Sequence, residues 1–172
     1  MKYLGPVFFA MLISSCGYKL VSWSSSKDLA LAINPVTSTS DQTRAMRVRM
    51  RDLLIERCLA GSGLIPVDEG GALVLTGHLK DYRENVVATD IDGRTSRIQF
   101  TLQASFELHD DQGRRLWFLD NYRYSDQYSI STTRSEYRNE TVFVQDAAMR
   151  NIADLVITNI TLTLAELKKD NG

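Results

Sequence analysis

Apolar and polar residues alternate most regularly over residues 98–108. The apolar positions are Ile98, Phe100, Leu102, Ala104, Phe106 and Leu108. This alternation predicts a strand of an antiparallel sheet with one buried and one wetted face. The D-G signal in IDGRT (91–95) predicts a turn from an earlier strand over 72–89, in which Gly77 is a candidate bulge. DDQG (110–113) predicts a second turn and a returning strand over 114–125, which completes a three-stranded meander.

Two segments with helical spacing are expected to cover the apolar face of this meander. In the first, Met46, Met50, Leu53, Leu54 and Cys58 fall on one helical face. Asp41 or Thr43 is the expected N-cap of that helix, and Gly61 or Gly63 its stop. The second helix is predicted between about 142 and 168, although its run VITNITLT is β-branched and has low helix propensity.

A short apolar run, LALAIN (29–34), predicts a further strand that ends at Pro35. The predicted fold class is therefore α+β: a two-layer sandwich of about four mostly antiparallel strands, with two helices packed on one face of the sheet.

The N-terminal segment predicts an envelope location. A basic start, Met1-Lys2, precedes an uncharged apolar run that is shorter than the roughly 20 residues needed to span a bilayer. The run ends in Ile13-Ser14-Ser15-Cys16, which resembles a bacterial lipobox, and Gly17 is typical of lipoproteins sent to the outer membrane. An ordinary signal peptide or a chance buried cysteine remains the alternative.

These patterns predict four regions. Residues 1–15 would be a lipoprotein signal peptide, 16–28 an N-terminus acylated at Cys16 with a tether, 29–168 a single domain, and 169–172 a short polar tail. The mature protein would be anchored by lipid in the outer membrane and face the periplasm.

Charge and candidate chemistry argue against several functions. The 20 basic and 21 acidic residues are nearly balanced, so nucleic acid is not an expected partner. Cys58 lies on the predicted apolar helix face and is expected to be a buried thiol. His78 and His109 lack neighbours with metal-ligand spacing. The acidic pairs at 90/92 and 110/111 lie at predicted turns, where Asp serves turn chemistry. No catalytic motif is present, so an enzyme, a metal site and a cofactor are not expected.

Several motifs together resemble one family. The lipobox leading into CGYKL, the helix start TRAMRVRMRDLL, the hairpin segment DGRTSRIQFTLQASFEL and the stretch YSDQYSISTTRSE followed by AAMRNIADL are similar to the LptE (RlpB) family of lipopolysaccharide-assembly lipoproteins. The resemblance implies the sandwich fold and a non-enzymatic role. Members sit as a plug inside the LptD outer-membrane β-barrel, bind lipopolysaccharide, and help to place it in the outer leaflet.

The same resemblance implies which residues bind the ligand. Arg94 in the D-G-R turn and Arg134 in the loop after the last strand are the expected lipopolysaccharide-binding residues, with Arg97 as a weaker neighbour. Guanidinium groups bind phosphates in bidentate fashion. Simple solvation of these arginines is the open alternative.

Aromatic residues of the last strand suggest a contact with the barrel. Trp117, Tyr122 and Tyr124 are expected to contribute to a partner surface on the sheet face that the helices leave uncovered. An alternative function keeps the same anchor and sandwich: a periplasmic scaffold, or a carrier of a small apolar ligand. A carrier would need a closed apolar cavity.

Overall fold

The computed structural model describes residues 30–130 and 134–170, except for the side chains of 134–139 and 170. Its elements follow in chain order: β1 (Ala30–Ile33), β2 (Thr37–Ser38), α1 (Asp41–Arg44), α2 (Met46–Leu59), β3 (Ile65–Val67), β4 (Leu73–Thr89), β5 (Thr95–Asp110), β6 (Arg115–Ser129) and α3 (Arg134–Asp170). The predicted signal peptide, Cys16 and the tether lie outside the described residues.

The α+β class is confirmed, but the predicted number of elements is wrong. The described chain forms one six-stranded sheet and three helices instead of four strands and two helices. The additional strands, β2 and β3, have two and three residues, and α1 is a single turn. Such short elements contain too few residues to display a hydrophobic period.

The sheet combines parallel and antiparallel parts. The strand order is β3-β1-β4-β5-β6, and β2 pairs with β4 beyond the end of β1. All pairings of β1 and β2 are parallel, whereas β4, β5 and β6 form the predicted antiparallel meander. The turn of residues 90–94, the end of β6 and the start of α3 share one end of the sheet, which we call the distal end. The start of β1 and the turn of residues 110–114 share the opposite end, the tether end.

One hydrophobic core joins the sheet to the helices. Every second residue of β5 from Ile98 to Leu108 is buried, as the alternation predicts. The same core cluster contains Met50 and Leu54 of α2 and Ile152 of α3. Apolar residues of both helices thus share one core with the alternate residues of β5, and their removal from water is the main source of stability in such a fold.

Two details of the sequence prediction are wrong. Gly77 is not a bulge, because it pairs directly with Phe106, and the register shifts of β4 lie farther along, from Leu79 onwards. Neither Asp41 nor Thr43 is the N-cap. A separate helical turn, α1, precedes α2, and Ser40 is its N-cap, because the Ser40 hydroxyl accepts a hydrogen bond from the Thr43 amide.

Helices α2 and α3 run parallel and are joined by ion pairs. Arg49 pairs with Asp146 and Arg57 with Asp154, so successive contacts advance by the same number of residues along both helices. The Arg49 Nε lies 2.5 Å from Asp146 Oδ1. Hydrogen bonding from Arg49 lowers the pKa of the Asp146 carboxyl. Arg49 and Arg57 therefore help to align α2 with α3.

Candidate functional site

A tight turn at the distal end holds Arg94. The Asp90 carboxylate accepts hydrogen bonds from the amides of Asp92 at 2.9 Å and Arg94 at 2.8 Å. Gly93 has φ 76°, a left-handed conformation that favours glycine. The D-G signal in the sequence therefore correctly located this turn. The Arg94 side chain itself extends into solvent.

Arg97 lies close to this turn, on the face of the sheet away from the core. It pairs with Ala88 on β4 and with Ser129 on β6. The side chain is exposed. Within the described residues, neither Arg94 nor Arg97 forms an ion pair, in contrast to Arg49 and Arg57, so both guanidinium groups remain available to an external anion.

The third predicted arginine reaches the same end of the molecule through α3. Arg134 is the first residue of α3, not part of a loop as predicted. The amide of Ile130 donates to the Ser96 carbonyl at 3.0 Å, which holds the end of β6 beside the start of β5. Four residues along an extended chain span at most about 14 Å. The fold therefore brings Arg94, Arg97 and the backbone of Arg134 together at the distal end.

The three predicted contact aromatics lie on the core-facing side of β6. Tyr122 and Tyr124 stand opposite Ala104 and Leu102. Together with Trp117 they are half-buried against the core, and the Tyr124 hydroxyl accepts a hydrogen bond from the Asn151 side chain of α3 at 2.8 Å. They do not form the uncovered sheet face, and only their exposed edges could meet a partner.

Polar residues occupy the uncovered face instead. The outward positions of β5 from 99 to 105 are Gln99, Thr101, Gln103 and Ser105. Asp120 lies on the same face and accepts from Lys80 Nζ at 3.1 Å and from Ser105 Oγ at 3.0 Å. The hydrogen bond from Lys80 is the main reason that the pKa of Asp120 is lowered.

Both histidines make local polar contacts. The two ring nitrogens of His78 lie 2.7 Å from Thr37 Oγ1 and 2.8 Å from Thr39 Oγ1. His109 Nε2 lies 3.5 Å from the Glu107 carboxylate. Among the described residues, no group of three or more His, Cys, Asp or Glu side chains is arranged to hold a metal ion.

Cys58 is buried at 2% exposure, as its place on the helix face predicts. Burial raises the pKa of its thiol to about 11, so the thiol is protonated and inert at neutral pH.

Two depressions on the described surface are open to solvent. One of about 280 Å3 lies between α2 and α3, lined by Arg57, Asp154 and Thr158 among others, and opens to solvent. Another of about 260 Å3 lies on the uncovered sheet face between Arg83 and Arg123. In the part of the chain that the structure describes, no helix is both long and apolar enough to traverse a membrane.

The architecture defines a class of protein: an α+β domain with a filled core, open surface depressions, and unpaired arginines gathered at one end of a long sheet. A family model described as "LptE: Lipopolysaccharide-assembly" matches residues 27–164. The chain belongs to the LptE family, as the motifs predicted.

Solved structures show that the fold is shared at low sequence identity. Rare lipoprotein B from Shewanella oneidensis is 13% identical, with a TM-score of 0.58 over 81% of this chain and 98% of that chain. A minor lipoprotein from Acinetobacter baumannii is 14% identical, with a TM-score of 0.51 over 78% of this chain and 94% of that one. No curated protein sequence matches this chain significantly.

Proposed function

We propose that this protein is an outer-membrane lipoprotein that assists lipopolysaccharide assembly by plugging and organising an LptD-like β-barrel and by binding lipopolysaccharide. The observation that carries the proposal is the family membership over residues 27–164. The role is non-enzymatic and needs no cofactor: the protein acts by occupying space and by making contacts.

The distal end supports the ligand part of the proposal. Arg94 and Arg97 are exposed, lie on one hairpin, and have no anionic partner within the described residues. Lipopolysaccharide carries phosphates, and a guanidinium group binds a phosphate through two parallel hydrogen bonds. The start of α3 adds Arg134 at the same end.

The strand directions indicate where the proposed ligand-binding arginines lie relative to the proposed lipid anchor. β1 starts at the tether end, and β4 extends 17 residues from there towards the distal end, which is about 55 Å at a strand rise of roughly 3.3 Å per residue. An extended tether from Cys16 to Ala30 would reach at most about 50 Å. The lipid anchor and the arginines would thus act at opposite ends of the domain.

The interior supports a plug more than a carrier. Large side chains fill it, and Phe100, Phe106 and Ile152 are each at most 1% exposed. A plug needs a solid body with a wide polar surface, which the uncovered face of β5 provides. The exposed edges of Trp117, Tyr122 and Tyr124 are the proposed apolar contribution to the barrel contact.

A pull-down tests the partner. The tagged lipoprotein is recovered in mild detergent from wild type, a Cys16→Ala strain and a Tyr122→Ala/Tyr124→Ala strain, and the associated proteins are identified by mass. We expect stoichiometric recovery of a large β-barrel with the wild type and reduced recovery with the tyrosine variant. Recovery of the lipoprotein alone from wild type would contradict the plug function.

Lipopolysaccharide binding is tested separately on the purified lipoprotein. Arg94→Ala/Arg97→Ala should weaken binding about tenfold or more, because charge-assisted hydrogen bonds to phosphate are lost. The matched control is Arg47→Ala, which removes a partly buried arginine of α2 that lies outside the β4–β5 hairpin. Equal affinities of the double variant and the control would refute the assignment of these arginines.

A further inference from the structure

The end of the β4–β5 hairpin extends beyond the core and carries exposed aliphatic residues. We call residues 83–97 the hairpin tip; none of them is buried, whereas Tyr82 and Ile98 on either side are. Val86 and Val87 are 57% and 44% exposed, and Ile91 is fully exposed at the turn. Single exposed aliphatics are ordinary, but three on one protruding hairpin form a local apolar surface.

The turn itself does not require these aliphatic residues. Its conformation depends on Asp90, whose carboxylate accepts two backbone amides, and on Gly93 with its positive φ. A polar residue at position 91 would serve the turn equally well, since such positions favour Asn, Asp and Ser. Ile91, Val86 and Val87 are not among the functional residues predicted from the sequence, although aliphatic residues beside a D-G turn can be recognised there.

Aliphatic and cationic side chains alternate along the tip. Ile91 and Arg94 belong to the same turn, which is closed by the Asp90 amide donating to the Arg94 carbonyl at 2.8 Å. Val86 stands opposite Ile98, and Arg97 stands opposite Ala88, one bulge away from Val87. Val86 therefore lies on the helix-covered side of the sheet and Arg97 on the other side, so aliphatic and cationic groups flank the narrow hairpin and share its turn at Ile91 and Arg94.

Carboxylates of the tip are largely engaged inside the protein. Asp90 caps the turn, and Glu84 accepts from the hydroxyls of Tyr82 at 2.5 Å and Tyr128 at 3.2 Å. These carboxylates keep their charge, so the three arginines and three carboxylates of the tip balance one another. Arg94 and Arg97 are the arginines of the tip without an ion-pair partner among the described residues, whereas Arg83 pairs with Asp81.

We infer that the hairpin tip holds acyl chains of a phosphorylated, acylated glycolipid against Val86, Val87 and Ile91 while Arg94 and Arg97 hold its phosphates. The inference rests on the proposed function and adds to it a site for the apolar part of the ligand. An anion without acyl chains would gain nothing from the aliphatics, whose removal from water is favourable in proportion to apolar area. A bilayer surface is a poorer occupant, because the tip lies opposite to the end at which the tether enters.

The test compares two ligands on the mature, acylated protein in one mild detergent. The ligands are rough lipopolysaccharide and the same lipopolysaccharide after chemical removal of all its acyl chains, with affinities measured by calorimetry. The variants are Ile91→Ser, Val86→Ser/Ile91→Ser and Arg94→Ala. Val48→Ser is the matched control, since Val48 on α2 is 70% exposed and remote from the tip.

We expect Val86→Ser/Ile91→Ser to weaken binding of intact lipopolysaccharide about tenfold and to leave binding of the deacylated form unchanged, with a smaller loss for Ile91→Ser. Arg94→Ala should weaken binding of both forms, and Val48→Ser of neither. An equal effect of the tip variants on both ligands, or none on either, overturns the inference while lipopolysaccharide binding itself stands.

Two further outcomes also overturn the inference. If the wild-type protein binds neither form, the ligand part of the proposed function fails as well. If the tip variants reduce binding to phosphatidylglycerol vesicles as strongly as to lipopolysaccharide, the tip is a general membrane contact instead of a glycolipid site.

Discussion

The close packing of β4 against β5 at Gly77 leads to a quantitative prediction. A Cβ added at Gly77 would lie 2.8 Å from Phe106 Cε1, 3.1 Å from Phe106 Cδ1 and 3.3 Å from Val36 Cγ2. Phe106 is 1% exposed and Val36 is 4% exposed, so neither can move aside without disturbing the core. Overpacking of this kind costs about 1–3 kcal/mol.

A gain in chain entropy partly offsets this cost. Replacing a strand glycine by alanine stabilises the fold by about 0.5–1 kcal/mol where the backbone permits it. The net prediction for Gly77→Ala is a free energy of unfolding lowered by about 0.5–2 kcal/mol. Urea unfolding followed by circular dichroism measures it, and with a denaturant slope of about 2 kcal/mol/M the midpoint should fall by roughly 0.3–1 M.

A double-mutant cycle with Phe106→Leu tests the reason for the effect. Leucine lacks the Cε1 atom and its branch can shift, so Gly77→Ala should become neutral or slightly stabilising in that background. If Gly77→Ala costs the same in both backgrounds within about 0.3 kcal/mol, contact with the Phe106 ring is not the cause and the reasoning is wrong.

Three further predictions concern the helices. Asp146→Asn should lower the free energy of unfolding by about 0.5–1 kcal/mol at neutral pH, because the ion pair with Arg49 is lost. Because the folded-state pKa of Asp146 is lowered, the ion pair contributes its full stability above about pH 5, and this contribution disappears as the pH falls through that pKa. Acidification should therefore lower the stability of the variant less than that of wild type, as measured by thermal unfolding. Ser40→Ala should cost about 1 kcal/mol in urea unfolding, because the Thr43 amide loses its cap. The buried thiol of Cys58 should react with a disulfide reagent at pH 8 only as fast as the protein unfolds.

Each of these predictions has a control or a contradicting outcome. Asp41→Asn removes a carboxylate from an exposed ion pair within α1 and should change stability little. Equal acid sensitivity of wild type and Asp146→Asn would contradict the assigned pKa shift. Wild-type stability of Ser40→Ala would show that water replaces the cap. Rapid modification of Cys58 in native protein, at the rate found in urea, would show that the helix face opens locally.

The local periods of the sequence determined the long elements. Alternation over β5, helical spacing from Met46 to Cys58, and the D-G turn before Arg94 each depend on neighbours a few residues apart, and all three were predicted correctly. The same helical spacing determined that Cys58 is buried. The apolar face of α3 overrode the low propensity of its β-branched run, because packing against a core contributes more than intrinsic preference.

The orientation of the β6 aromatics illustrates what the local pattern could not provide. Trp117 and Leu119 face the core at odd positions, but Tyr122 and Tyr124 do so at even positions, because an extra residue enters the strand between them. Asn121 has φ 50° there, and its amide donates to Ser105 Oγ at 3.0 Å. A bulge reverses the alternation, so a reading with constant period assigns one half of the strand to the wrong face.

From its sequence alone, this chain determines its family, its meander, its two long helices and the absence of any recognisable catalytic motif. Only the tertiary structure decides that β2 and β3 join the sheet, that α2 and α3 run parallel, and that Arg94, Arg97 and the backbone of Arg134 lie at the same end of the sheet. These features arise from contacts between residues far apart in the chain, whereas hydrophobic periodicity records only whether each residue faces the core or the solvent.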